Sequence, residues 1–278
     1  MKKYDVLVIG SGGGTKISTP ASSLGYKAAV IEEWKWGGTC LNRGCIPSKM
    51  LIHPANVITH ALDAKKLQVQ MKLGKVEFAD LVKRINRTTD KDSKGIPEWY
   101  KTKKNLDYYY GHGRFVSNNV VEVNGKKITA NKIFIATGSR PRIPSIKGLE
   151  GTPFWTSTNA LSARKLPKKL LVIGGGYIAC ELGHAYAAYG SKVELIVRGD
   201  VLLKREDKDV REEFTRVFRK KHKVNFGATP VEVSYSKKKF MVTIRRKNGR
   251  KEKIVGDALL VATGVVPNTD KLGLENTN

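Results

Sequence analysis

Two cysteines five positions apart, Cys40 and Cys45, stand in the run Gly37-Gly38-Thr39-Cys40-Leu41-Asn42-Arg43-Gly44-Cys45-Ile46-Pro47-Ser48-Lys49. On a turn or irregular helix, sulfurs at that spacing can meet as a disulfide. A helix opening near Pro47 would favour a thiolate through its dipole, and Lys49 adds a positive charge close by. Two buried, inert thiols fit the same spacing, because cysteine often serves simply as core. The remaining cysteine, Cys180, stands alone, so the chain lacks the cysteine count of an extracellular disulfide scaffold. A zinc site is the weakest alternative, since no Cys or His pair lies nearby at a usual metal spacing. No metal is expected.

Positioning such a pair is the task of the surrounding elements, and these repeat. The apolar run Tyr4–Ile9 leads into Gly10-Ser11-Gly12-Gly13-Gly14, and a second apolar run, Lys27–Ile31, ends at Glu32. Further on, Leu170–Ile173 leads into Gly174-Gly175-Gly176-Tyr177-Ile178-Ala179, a helical stretch to Tyr189, and the strand Val193–Val197. Each half later has a strand ending in Ala-Thr-Gly, Ile133–Gly138 and Leu259–Gly264. Strand, glycine turn, helix, strand is the dinucleotide-binding pattern: the glycines permit a tight turn and let backbone amides approach a pyrophosphate at the positive end of a helix. The fold class expected is α/β, with two Rossmann-like dinucleotide-binding domains, the second following the main part of the first. Residues 1–149 and 150–278 are the expected domains, with Arg140–Pro144 and Gly148–Pro153 marking the boundary.

The first copy departs from the ideal. Thr15 stands where Gly or Ala would allow close helix-to-strand packing, and Pro20 falls in the helix interior, so this helix is expected to be short or kinked. Glu32 closes the second strand of copy one, where a carboxylate can accept ribose hydroxyls. Arg198 takes the corresponding place in copy two, with Lys204 and Arg205 nearby, which favours a 2′-phosphate and hence NADPH over NADH, with NADH kept as a possibility.

Lys and Arg number 51 against 25 Asp and Glu, a net charge of +26. Such an excess favours polyanionic partners. The clusters Lys101–Lys104, Arg219–Lys223, Lys237–Lys239 and Arg245–Lys253 read as loops or exposed helix ends, and no nucleic-acid motif accompanies them, so no specific nucleic-acid partner is expected. No apolar run reaches the length of a membrane span, and the basic N-terminus carries Asp5 and a glycine loop instead of a cleavage site. A cytoplasmic protein with no membrane partner is expected.

The string GGTCLNRGCIPSKM closely resembles the redox-active motif of the pyridine nucleotide–disulfide oxidoreductases, which include dihydrolipoamide dehydrogenase and the glutathione, trypanothione, mycothione and mercuric reductases. The resemblance extends along almost the whole chain, through GHGRF at Gly111–Phe115, ATGSRP at Ala136–Pro141, GGGYIACELG at Gly174–Gly183 and LVATGVVPNTDKLGLE at Leu260–Glu275. It implies that Cys40 is the interchange thiol meeting substrate and Cys45 the thiol beside the flavin. Lys49 and Glu181 would form an ion pair that modulates the flavin. Gly10, Gly12, Gly14, Glu32, Gly38, Thr39, Gly113, Thr137 and Gly138 are the implied FAD contacts. Gly174, Gly176, Tyr177, Ile178, Arg198 and Gly264 are implied to bind the nicotinamide nucleotide, Tyr177 covering its pocket. The stretch IVRGDVLLKREDKDV looks more like the NADPH-using thiol reductases than like dihydrolipoamide dehydrogenase, and the middle region Val76–Phe115 resembles mycothione reductase.

The implied activity is an electron relay from NAD(P)H through FAD and the Cys40–Cys45 disulfide to a small-molecule or protein-bound disulfide, or the reverse with a dithiol. The family pattern continues beyond Asn278 with a Gly-Asp motif and a C-terminal dimerisation domain bearing a His–Glu pair. Without these, the chain is expected to be a fragment, a split half completed by a separate C-terminal part or homodimer partner, or a non-catalytic nucleotide- or polyanion-binding module. None of its five histidines is expected to be the catalytic base.

Overall fold

The computed structural model describes residues 1–278, which divide into two compact units: 1–47, 86–140 and 265–278 form one, 48–85 and 141–264 the other. The first is built on a six-stranded sheet. Its parallel part comprises β1 (Lys2–Ile9), β2 (Ala28–Glu32), β3 (Leu106–Tyr110) and β6 (Lys126–Ile135), in the order β3-β2-β1-β6. Antiparallel β5 (Val120–Val123) and β4 (Gly113–Ser117) extend it. Successive side chains of a strand point to opposite faces, so Ala28 and Val30 pack with Trp36 and Tyr100 while Ala29 and Ile31 pack with Leu7 and Val121. Both faces of β2 are therefore buried, which explains its unbroken apolar run. Helix α1 (Thr15–Ser23) has only nine residues. Pro20 lies inside it and withholds the amide its last turn would use, and the helix ends three residues later. Helix α2 (Gly38–Arg43) follows β2.

The second unit carries the all-parallel sheet β10-β9-β8-β14, formed by β8 (Lys169–Ile173), β9 (Lys192–Ile196), β10 (Lys223–Asn225) and β14 (Ala258–Val261). An antiparallel sheet of β11 (Ala228–Ser236), β12 (Lys239–Arg246) and β13 (Lys251–Gly256) packs its apolar face against β8, β9 and β14. Helices α6 (Tyr177–Ala188) and α7 (Lys208–Lys221) flank the parallel sheet.

The compact units do not coincide with a cut between 149 and 150. Helix α3 (Cys45–Asp63) and the start of α4 (Phe78–Lys101) supply Leu51, Ala55, Phe78, Val82 and Ile85 to the same core as Ala179, Leu182, Ala185 and Tyr186 of α6. Residues 141–149 join the second unit, and 265–278 return to the first, where the Phe115 amide donates to the Leu272 carbonyl at 2.7 Å. Hydropathy along the chain does not reveal such exchanges, because they depend on which apolar faces meet. The basic run Arg245–Lys253 spans the end of β12, the turn at 247–250 and the start of β13. No helix is long and apolar enough to cross a membrane.

Candidate active site

The two glycine turns are built by the same hydrogen bonds. In the first unit the Gly10 amide donates to the Ile31 carbonyl at 2.8 Å and the Ala136 amide to the Ile9 carbonyl at 2.8 Å. In the second the Gly174 amide donates to Ile196 at 3.0 Å and the Ala262 amide to Ile173 at 2.8 Å. Each first glycine has a positive φ, +108° at Gly10 and +141° at Gly174. A Cβ there would lie 2.2 Å from the carbonyl oxygen of Ala136 or Ala262 respectively. The two Ala-Thr-Gly segments thus close their own glycine turns from beneath. Thr137 and Gly138 are held in turn by Asn268, whose side-chain amide donates to the Thr137 carbonyl and whose backbone amide donates to that of Gly138, both at 3.0 Å.

These bonds correct one correspondence. Ile31 and Ile196 occupy equivalent places, so Glu32 is matched by Val197 and Arg198 by Glu33. Val197 is buried, and Gly175 approaches it so closely that a Cβ would sit 2.8 Å from its Cγ1. Arg198 is the next residue, exposed beyond the strand end. Arg198 thus lies one residue beyond the place that Glu32 holds, because hydrogen-bond register sets the equivalence.

The close-packing role expected at Thr15 falls instead to Gly14, where a Cβ would lie 2.3 Å from both the Gly10 carbonyl oxygen and Val8 Cγ1. Thr15 turns its hydroxyl back to the Gly12 carbonyl at 2.8 Å. Gly12 and Gly38 meet backbone to backbone: a Cβ on Gly38 would lie 2.6 Å from Gly12 Cα. Glu32 is buried and already engaged. Its Oε2 accepts from the Ser11 amide at 3.0 Å and the Ser11 hydroxyl at 2.6 Å, and its Oε1 accepts from the Trp34 amide at 3.0 Å. The Gly37 amide donates to the same Ser11 hydroxyl at 2.9 Å. Ser11, fully buried, is thus the hub joining both glycine loops to Glu32. Sequence reasoning passed over it as the unspecified residue of a motif.

The sulfurs of Cys40 and Cys45 are neighbours. Both residues are exposed thiols, and the Cys40 thiol is pushed above its ordinary range, first by hydrogen bonding to Cys45 and then by burial, with Lys16 of α1 pulling the other way. Asn42 clamps the intervening turn by donating to the Trp36 and Gly38 carbonyls at 2.9 Å each. Helix α3 starts at Cys45 itself, two residues before the expected start near Pro47, and proline is well accommodated in a first helical turn. Cys45 therefore occupies the positive end of a 19-residue helix, a position that favours negative charge. The cation acting on Cys40 includes Lys16, which the sequence reading did not single out.

Lys49 is occupied elsewhere in the second unit: its Nζ donates to Glu181 Oε1 at 2.5 Å. Beside Glu181 in the chain, Cys180 is buried among apolar groups, which push its thiol up to about 12. Tyr177 opens α6 with its ring largely exposed, Gly176 precedes it with open space around it, and Ile178 is half-buried against the core. Gly264 is likewise open, at φ +109°. Gly113 behaves differently: a Cβ there would meet Ile31 Cδ1 at 3.0 Å, so packing explains its glycine. No three His, Cys, Asp or Glu side chains converge where they could hold a metal ion.

Both turns fit a dinucleotide. The amides of Gly12, Gly13 and Gly14 have no protein acceptor, nor do those of Gly175 and Gly176, and a Cβ at Gly13 or Gly176 would meet nothing within 4 Å. Bare amides at a helix start are the donors a pyrophosphate requires.

Residues 4–278 match the family model described as pyridine nucleotide-disulphide oxidoreductase. The chain belongs to this family. Among its relatives, a mercuric reductase of Lysinibacillus sphaericus is 39% identical over 280 residues, covering 98% of this chain and 50% of that protein. A mycothione reductase of Mycobacterium tuberculosis is 32% identical over 284 residues (99% and 60%), and a dihydrolipoyl dehydrogenase of Bacillus subtilis 36% identical over 278 (98% and 58%). The chain thus spans about half the length of the curated relatives it matches. Among solved structures, the Cu(II) complex of the HOCl-induced flavoprotein disulfide reductase RclA of Escherichia coli superposes with a TM-score of 0.84 at 29% identity, covering 100% of this chain and 60% of that one. The fold of the chain is therefore one shared with a flavoprotein disulfide reductase.

Proposed function

We propose that this chain forms the electron-relay portion of an FAD-dependent NAD(P)H:disulfide oxidoreductase, with Cys40 and Cys45 as the redox-active pair. The observation that carries the reading is the pairing of the two exposed thiols, one on a helix start, beside the glycine-lined turn of the first unit. FAD would be held by the amides of Gly12–Gly14 and by Gly10, Gly38, Thr39, Thr137, Gly138 and the remaining acceptor capacity of Glu32. When bound, it supplies the two-electron couple between a nicotinamide and the dithiol. Gly174, Gly176, Tyr177, Ile178 and Gly264 would hold the nicotinamide nucleotide, and exposed Arg198 would bind a 2′-phosphate, favouring NADPH. For the Lys49–Glu181 pair the reading keeps the flavin-modulating role.

The chemistry of the pair itself follows from thiol exchange. Cys40, as thiolate, attacks one sulfur of a substrate disulfide, forms a mixed disulfide and releases the first thiol. Cys45 then attacks the Cys40 sulfur, releasing the second thiol and leaving the Cys40–Cys45 disulfide. Two protons pass to the departing thiolates, and the substrate gains the two electrons that the cysteines lose. A cytoplasmic setting would keep the thiols reducible.

The test is the absorption spectrum of protein purified with added FAD, before and after anaerobic NADPH. The reading expects bound flavin and a new long-wavelength band that Cys45→Ser abolishes. Protein that takes up no FAD, or a band indifferent to Cys45, would overturn it for this chain.

A further inference from the structure

The parallel sheet of the second unit has a second functional-looking edge. Its strand ends carry the Gly174 turn, whereas its strand starts form a groove of about 500 Å³, lined by Lys169, Lys192, Lys221, His222, Lys223 and Glu194 among others. Strands β8, β9 and β10 all begin with lysine. Lys169 and Lys192 are direct partners in the β8–β9 register. Like charges set directly opposite in a sheet are destabilising, so this arrangement calls for an anion.

One anion is built in. Glu194, 3% exposed, accepts from Lys169 at 2.8 Å and from Lys223 at 3.0 Å, and Asn225 donates to it at 2.9 Å. Outside the groove lining, Asp63 engages Lys221 at 2.8 Å. Lys192 has no carboxylate partner, and four lysines face the groove against one lining carboxylate. His222 adds no charge near neutral pH, since burial and the neighbouring His184 and Lys221 hold it at about 4. The buried Glu194 thus engages both Lys169 and Lys223, and Lys192 begins the strand that lies between theirs.

We propose that this groove is an anion site for a compact ligand bearing several phosphate groups. Its volume suits a small molecule, and its ammonium groups on neighbouring strands, spaced by about 5 Å, can bridge successive phosphates. The five residues of β8 separate it from the Gly174 turn by roughly 16 Å, so the two edges can be filled independently. The phosphates can be free or carried on a nucleic acid, and the test separates these sources.

Inorganic tripolyphosphate, orthophosphate and a single-stranded oligothymidylate are titrated calorimetrically into the full chain at two salt concentrations. Tripolyphosphate is expected to bind more tightly than orthophosphate and than the oligonucleotide per site, with the same affinity when NADPH is saturating. Lys192→Ala should weaken it about tenfold and lower the slope of log affinity against log salt by roughly one, while Lys192→Arg keeps it. Lys221→Ala, at an exposed ion pair, gives a second variant with the same expected direction. Unchanged affinity in both alanine variants, displacement by NADPH, or tighter oligonucleotide binding that ignores Lys192 would overturn the proposal.

Discussion

Replacing Glu32 by glutamine tests how the first unit holds its two glycine loops together. The carboxylate accepts three bonds, two at Oε2 from Ser11 and one at Oε1 from the Trp34 amide, all with ordinary lengths of 2.6 to 3.0 Å. An amide retains one oxygen, which best serves the two Ser11 donors. Its NH2 group then faces the Trp34 amide, donor against donor. One hydrogen bond to a charged group is lost, about 1.5–3 kcal/mol, and the two that remain become neutral and weaker. Glu32→Gln should therefore cost about 2–4 kcal/mol, and Glu32→Ala more, because the fully buried Ser11 amide loses its acceptor. Three of the four tryptophans, Trp34, Trp36 and Trp99, lie in the first unit, so their fluorescence during urea unfolding reports this change. A midpoint shift equivalent to less than about 0.5 kcal/mol for Glu32→Gln would refute the hub, since surface substitutions alone produce that much.

The first glycine of the second turn offers a contrast with Gly264: both have positive φ, but only Gly174 abuts a carbonyl. Gly264→Ala should cost about 1–2 kcal/mol of backbone strain and Gly174→Ala clearly more, and equal losses of melting temperature would contradict the packing described. On the proposed reading, Arg198→Ala should weaken NADPH binding about tenfold or more with little change for NADH; equal effects on both would refute a 2′-phosphate role for Arg198. His222 is held neutral in the fold, at about 4, against about 6.5 in an unfolded chain. The unfolded state therefore binds more protons between these values, and stability falls as pH drops from 6.5 toward 4. His222→Gln should lose less urea resistance than the wild type between pH 7.5 and 5, and identical losses would show that His222 is not the group responsible.

The α/β class, both glycine turns and the family motifs were legible in the chain, because strand–glycine–helix spacing is a local property. Cys40, Cys45, Lys49 and Glu181 could likewise be named from their motifs. Tertiary structure decided the rest. Gly14 rather than Thr15 carries the tight packing, because what matters is the distance to Val8 and the Gly10 carbonyl across a turn. Arg198 is matched by Glu33 and not by Glu32, because hydrogen-bond register, not residue count, sets equivalence. Ser11 is a hub only through its burial and three hydrogen bonds, two to Glu32 and one from Gly37, which the chain order does not display. Segment 48–85 belongs to the second unit because Leu51, Phe78 and Val82 find their apolar partners on α6, a choice made between surfaces far apart in sequence. Local geometry is written in neighbouring residues; which faces meet, and which charges end up without a partner, is settled only by packing.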